Sequence, residues 1–252
     1  MTAVPTRAPL RDPRRIGILG GMSWESTTTY YRLLNEGVRE RLGGLHSADI
    51  LLRSFDFAPI SAMQSRGDWK KLGELLAEAA CSLENAGAQA LLIATNTMHK
   101  VAPLIEERID IPLLHIADAT ALAAHRREVE RPLLLATRYT MEEDFLRGRL
   151  SQAGVDCLVP EANDRTLVHD VIYDELCRGI VRGESRSTYE RIVNKAIDRG
   201  ADGVVFGCTE VGLLLSSDDI PLPALDTTTL HCAAAVEFMI EGVMSGAQLG
   251  SA

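Results

Sequence analysis

No stretch of this sequence is apolar over the roughly 18 residues that a membrane-crossing helix needs. Its longest apolar-rich segment, Gly203 to Leu215, is broken by Glu210. Positive charge is also in deficit: 26 Lys and Arg against 35 Asp and Glu leave a net charge of −9. Sequence-independent binding to nucleic acid or to an anionic membrane requires a basic face, so neither partner is expected. A local cationic pocket for an acidic metabolite is compatible with that balance. Cysteine is sparse: five residues, at 81, 157, 177, 208 and 232, with no C-x-x-C pair. An odd, scattered set fits the reduced thiols of a cytoplasmic protein and argues against a disulfide framework or a zinc ribbon. The start of the chain, MTAVPTRAPLRDPRR, carries charge and proline but no apolar core. It reads as a flexible leader over residues 1–14 without a secretory signal.

Several catalytic signatures are missing as well. There is no G-x-G-x-x-G, no Walker A loop, no G-x-S-x-G elbow and no H-x-x-x-H pair. Dinucleotide, nucleotide, serine-hydrolase and metal chemistry therefore lack their usual marks, and no cofactor or metal is expected. What is present is an ordinary globular composition over 252 residues, 46% apolar and 24% charged, enough chain for one or two domains with a large core.

Short aliphatic runs alternate with helical-period segments, the pattern of a parallel α/β protein. Strands are predicted at Arg15–Gly20, Asp49–Arg53, Ala90–Ala94 and Pro112–Ile116, with helices at Trp24–Arg41 and Trp69–Ala86. The pattern then recurs. Arg131–Ala136 matches the first strand, Val155–Val159 the second, Gly203–Gly207 the third, and Ile220–Leu225 echoes Ile111–Ile116; a helix is predicted over Thr188–Arg199. Ala86–Thr97 aligns with Arg199–Glu210 at a constant offset of 113, pairing Gly87 with Gly200 and Thr95 with Cys208. A similar offset of 116 pairs Arg15 with Arg131. A duplicated half of roughly 110 residues follows from these offsets. The expected architecture is two α/β/α half-domains related by a pseudo-twofold axis, each with a small, mostly parallel sheet. The first comprises 15–116 with 227–252, the second 117–226.

Ligands of open α/β sheets bind beyond the strand carboxyl ends. There the two halves would bring Thr95-Asn96-Thr97 and Cys208-Thr209-Glu210 to one cleft. A thiol at a helix start is expected to have a lowered pKa, whereas the other four cysteines read as small core hydrophobes. Asn96, Thr97 and Thr209 are neutral donors suited to a carboxylate. The turn Gly20-Gly21-Met22-Ser23 can bring backbone close to a ligand, and Thr137-Arg138-Tyr139-Thr140 fills the equivalent loop of the second half. His99 and His231 are placed to tune a reactive group.

The segments Gly20-Gly-Met-Ser-Trp-Glu-Ser26, Thr95-Asn-Thr-Met-His-Lys100, Gly207-Cys-Thr-Glu210 and Asp226-Thr-Thr228 together resemble the aspartate/glutamate racemase family, from Arg15 to about Met244. The resemblance implies a cofactor-independent amino-acid racemase, commonly a homodimer. In that family two cysteines, one per half, face opposite sides of the substrate α-carbon, and the Asn-Thr and Thr positions hold the α-carboxylate. The second-half cysteine takes the proton of the L-enantiomer. Here Thr95 stands at the first cysteine position. An aliphatic hydroxyl does not titrate in water and makes a poor base. The resemblance thus implies an enzyme that prefers L-aspartate or L-glutamate, with Cys208 as base and Thr95 opposite. Arg53, with Arg138 and Arg178 behind it, is the expected cation for the distal carboxylate, and Ser54 is a neutral contact beside it. Two other readings are open. One is a single-cysteine decarboxylase or isomerase of the same superfamily, for which an aromatic substrate would want apolar walls. The other is a catalytically weak amino-acid-binding protein.

Overall fold

The computed structural model describes residues 13–243. The chain runs β1 (Ile16–Gly20), α1 (Trp24–Leu42), β2 (Ile50–Ser54), α2 (Phe57–Arg66), α3 (Trp69–Asn85), β3 (Ala90–Ile93), a 3-10 turn at Thr97–Val101, α4 (Ala102–Glu106) and α5 (Ile116–Arg126). It continues through β4 (Leu133–Leu135), α6 (Arg138–Glu142), α7 (Asp144–Gln152), α8 (Ala162–Asp174), a 3-10 turn at Leu176–Arg178 and α9 (Gly183–Asp198). The last elements are β5 (Val204–Phe206), α10 (Val211–Leu214), a 3-10 turn at Ser217–Asp219, β6 (Ala224–Asp226) and α11 (Thr227–Glu241). Two parallel three-stranded sheets result, ordered β2-β1-β3 and β4-β5-β6.

Strand alternation sends successive side chains of the first sheet to opposite layers. Ile16, Ile18, Ala90 and Leu92 pack on α1 and α11 through Tyr30, Leu34, Val38, Ala235 and Met239. Leu19, Leu91 and Ile93 pack on α3 and α4 through Leu72, Leu76, Leu83 and Ile105. The α3 residues recur at the three- and four-residue spacing that keeps one helix face inward. The second sheet has one continuous core, to which α5 contributes Ile116–Ala124.

The duplication extends to individual bonds. Gly87 and Gly200 both have positive φ, +96° and +87°, with Arg15 and Arg131 the respective side chains beside them. The Arg15 N–H donates to Gln89 Oε1 at 3.0 Å, and the Arg131 N–H donates to Asp202 Oδ1 at 2.9 Å. Gln89 and Asp202 are again 113 residues apart.

Two predicted strands shrink to single bridging residues, Leu113 beside Leu91 and Leu158 beside Leu133. Proline explains both, because it has no N–H to give a ladder. Pro112 only accepts, from the Leu91 N–H at 2.9 Å, and Pro132 only accepts, from the Leu158 N–H at 2.8 Å. The predicted helix over 188–199 begins earlier, at Gly183, with Ser185 buried and donating to Glu175 Oε2 at 2.6 Å. Of the leader expected over 1–14, residues 1–12 lie outside the described residues. Arg14 is held in place, its N–H donating to Met239 O at 2.8 Å. Among the described residues no helix is long and apolar enough to cross a membrane.

Candidate active site

The carboxyl ends of β1, β3, β4 and β5 all open on one cleft. From the first half it is lined by Met22, Ser23, Ser26, Phe57, Gln64, Thr95, Asn96 and Thr97. The second half contributes Thr137, Ile172, Tyr173, Cys177, Gly207, Cys208, Thr209 and Glu210. Thr95 and Cys208 therefore share a cavity, each partly exposed at its strand tip.

The turn after β1 depends on Gly21. Its φ is +83°, and a side chain there would overlap the backbone N and O of Phe55. The tight turn delivers Ser23 to the start of α1, where its Oγ accepts from the Ser26 N–H at 3.2 Å and so caps the helix. Both serines then reach across the cleft. Ser23 and Ser26 donate to Glu210 Oε1 at 3.2 and 3.0 Å, and Ser26 also lies 2.8 Å from Thr209 Oγ1.

Glu210 Oε2 accepts the Cys208 S–H at 2.8 Å. Burial holds the Cys208 thiol well above its ordinary range, and the adjacent Glu210 charge raises it further. This corrects the expectation of a thiol acidified by a helix start. The helix after Glu210 is only four residues long, and the sulfur's partner is a carboxylate rather than helix N–H groups. The resting thiol is neutral, with its proton directed at Oε2.

On the opposite side, Asn96 Nδ2 donates to Thr227 Oγ1 at 3.0 Å, and that hydroxyl donates to Phe206 O at 2.8 Å. Asn96 Oδ1 is buried and, among the described residues, meets no donor. Thr97 Oγ1 lies 3.3 Å from Thr137 Oγ1, itself 3.3 Å from Thr140 Oγ1. Behind Thr95 lies a buried cluster of histidines packed edge to face. His99 donates from Nδ1 to Thr95 O at 2.9 Å and accepts at Nε2 from the Ile116 N–H at 3.3 Å. Its ring lies 4.6 Å from that of His115 and 5.6 Å from that of His231. Burial lowers His99 to about 3 and His231 to about 4 and depresses His115 strongly. All three are neutral and fix backbone.

A family model for Asp/Glu/hydantoin racemases matches residues 19–235. The chain belongs to the Asp/Glu/hydantoin racemase family. The fold aligns with a Yersinia pestis structure assigned to the Asp/Glu racemases at 47% identity, covering 90% of this chain and 100% of that one, with a TM-score of 0.87. An aspartate racemase homologue from Pyrococcus horikoshii aligns at 30% identity over 90% of this chain and 100% of its own, with a TM-score of 0.81. The broad-specificity amino-acid racemase RacX of Bacillus subtilis is 19% identical over 84% of this chain and 92% of its own. Two small parallel sheets in two half-domains are the arrangement this racemase family shares.

Nine residues singled out from the sequence line the racemase-family cleft: Met22, Ser23, Thr95, Asn96, Thr97, Thr137, Cys208, Thr209 and Glu210. Three do not. Thr140 is fully buried behind Thr137. Ser54 and Arg53 sit on the exposed end of β2, an edge strand paired only with β1, and Arg53 lies over the Phe55 ring at 4.9 Å. Arg138 stacks on Tyr139 at 6.0 Å and Arg178 pairs with Asp174 at 3.6 Å. Among the described residues no arginine or lysine lines the cleft. Sequence reasoning passed over Ser26, Phe57, Gln64, Ile172, Tyr173 and Cys177. Ser26 stands inside the quoted Gly20–Ser26 segment. Cys177, read as core, lies in a 3-10 turn ended by Gly179 at φ +71°, and that glycine is the signal that the helix breaks there. Burial pushes the Cys177 thiol up to about 12.

Proposed function

We propose that this family member is a cofactor-independent amino-acid racemase in which Cys208 takes the α-proton of an L-amino acid and Thr95 occupies the opposite side. One observation carries the reading: a thiol hydrogen-bonded to a carboxylate, Cys208 to Glu210 at 2.8 Å, opens on the same cleft as Thr95 from the other half. Asn96, Thr97 and Thr209 supply donors for the α-carboxylate. Glu210, with only 6% of its surface exposed, supplies the anion for the α-ammonium.

The thiol must lose its own proton before it can act as a base. That proton leaves through Glu210 Oε2, which already accepts it in a hydrogen bond, to solvent, and the arriving ammonium then takes over the hydrogen bonds of the restored carboxylate. The thiolate then removes the α-proton, forming an S–H bond and leaving the electron pair on the α-carbon and its carboxylate. Reprotonation on the same face returns the L-form with a solvent proton. Reprotonation from the Thr95 face gives the D-form, with water replacing the proton that the hydroxyl passes on. Thr95 cannot store a charge at neutral pH, so the second route is the slower one.

Proton NMR in D2O tests this directly. Deuterium is expected to enter the α-position of L-substrates much faster than that of D-substrates; faster exchange from the D-side contradicts the proposal. One strand-tip thiol, Cys208, opposite a threonine and in a cleft with the apolar walls Phe57 and Ile172, also supports the decarboxylase alternative. That enzyme would release CO2 from 2-substituted malonates and leave amino-acid α-protons untouched.

A further inference from the structure

We infer that Thr227 is a positioning residue of the proposed reaction: its hydroxyl holds the Asn96 carboxamide in one orientation and ties the strand tip that carries Thr95 to the tip that carries Cys208. This rests on the racemase reading above, which gives Asn96 a share in holding the substrate α-carboxylate.

The local sequence explains why this hydroxyl is free for the task. β6 ends at Asp226 and α11 begins with Thr227. A threonine at a helix start commonly uses its hydroxyl as the cap. Here Asp226 takes that duty, its Oδ1 accepting from the Thr228 and Thr229 N–H groups at 2.9 and 3.3 Å. Thr227 is fully buried and turns its hydroxyl inward. At this point the chain leaves the second sheet, through β6, for the α11 layer of the first.

Proton count fixes the direction of both bonds of that hydroxyl, which has one proton to give, whereas a carbonyl has none. Thr227 gives its proton to Phe206 O at 2.8 Å, so toward Asn96 Nδ2, at 3.0 Å, it can only accept. The amide nitrogen is thereby turned to Thr227. Asn96 Oδ1 meets no donor among the described residues, so no second hydrogen bond of the amide shares in orienting it. Asn96 directly follows Thr95, and Phe206 stands two residues before Cys208. One buried hydroxyl thus spans the two tips that must face a common α-carbon. Removal of the α-proton sends negative charge onto the substrate carboxylate, for which Asn96 keeps its second Nδ2 proton. A donor held ready there acts on the barrier more than on binding.

The test follows α-proton exchange of L-aspartate and L-glutamate by proton NMR in D2O, with the full chain. Thr227→Val keeps the branched shape and removes the hydroxyl. It is expected to lower kcat by about ten- to a hundredfold while KM moves by less than about threefold. Thr227→Ser keeps the hydroxyl and is expected to hold kcat within about threefold of wild type. Asn96→Ala is expected to lose at least about tenfold in kcat. In that background Thr227→Val is expected to change kcat by less than about threefold, because the group it positions is gone. Unchanged kcat in Thr227→Val, a serine variant that falls as far as the valine one, or losses that multiply in the double variant each overturn the inference and leave the racemase reading standing. No exchange by the wild type on either substrate overturns that reading and the inference with it. If Thr227→Val does not fold, the other two single variants decide: full kcat in Asn96→Ala, or a loss of about tenfold or more in Thr227→Ser, overturns the inference.

Discussion

The two halves match until the last residues of β3 and β5. Gly87 beside Arg15 and Gly200 beside Arg131 repeat one turn, with the Gln89 and Asp202 side chains receiving equivalent backbone N–H groups. Past β3 and β5 they diverge. The first half ends in Thr95, whose carbonyl is fixed by a neutral histidine. The second ends in Cys208, whose proton is directed at a buried carboxylate. The duplicated scaffold preserves where the tips sit, while the chemistry placed on them is free to become unequal.

The largest effect tests the second tip. Cys208→Ala is expected to reduce α-proton exchange of either enantiomer by about a thousandfold or more, since it removes the only tip residue able to accept a proton. Retained exchange in that variant contradicts the assignment. Thr95→Cys tests whether the asymmetry is chemical rather than geometric. Exchange from the D-side is expected to rise by about a hundredfold, the scale of a well-placed general base, with the L-side changed far less. An unmoved D-rate would mean that the first tip is misplaced for catalysis, not merely unreactive.

Glu210→Gln probes the feature that the first half lacks. Removing the charge relieves part of what raises the Cys208 thiol, so the inflection of its alkylation rate against pH is expected to move downward. The rate of exchange is expected to fall by about ten- to a hundredfold, because the thiol has lost its proton acceptor. An alkylation profile identical to wild type would show that carboxylate and sulfur do not communicate.

The smallest effect concerns stability. His99, His115 and His231 are held below the pKa of about 6.5 that they regain on unfolding. Between that value and about 4 the unfolded chain binds protons that the folded chain refuses. Stability is therefore whole above pH 6.5 and declines as the pH falls through that window. The urea midpoint is expected to be lower at pH 4.5 than at pH 7.5, less so in a variant with His231 replaced by glutamine. A flat profile would mean that the cluster admits protons without opening.

The strands and the repeat were legible because a buried parallel strand is a run of aliphatic residues closed by glycine, and both halves spell it alike. Thr95-Asn96-Thr97 and Cys208-Thr209-Glu210 were legible because polar residues directly after such a run have few purely structural uses. The cleft wall of Gln64, Tyr173 and Cys177 was not. Gln64 sits on a helix whose inward face is set by Met98, more than thirty residues away in the chain. Tyr173 and Cys177 straddle a break between α8 and a 3-10 turn in a polar segment with no clear apolar period. Arg53 misled for a related reason. It lies near the end of a genuine strand, but that strand forms the sheet edge, and nothing local separates an edge strand from a central one.

Glu210 ties its two oxygens to different duties: Oε1 to Ser23 and Ser26 across the cleft, Oε2 to the sulfur on its own side. The carboxylate that holds the thiol proton is thus also one of the ties between the halves, beside Ser26–Thr209 and Thr97–Thr137. A ligand group that claims one of these oxygens is therefore felt at the other, across the boundary between the halves.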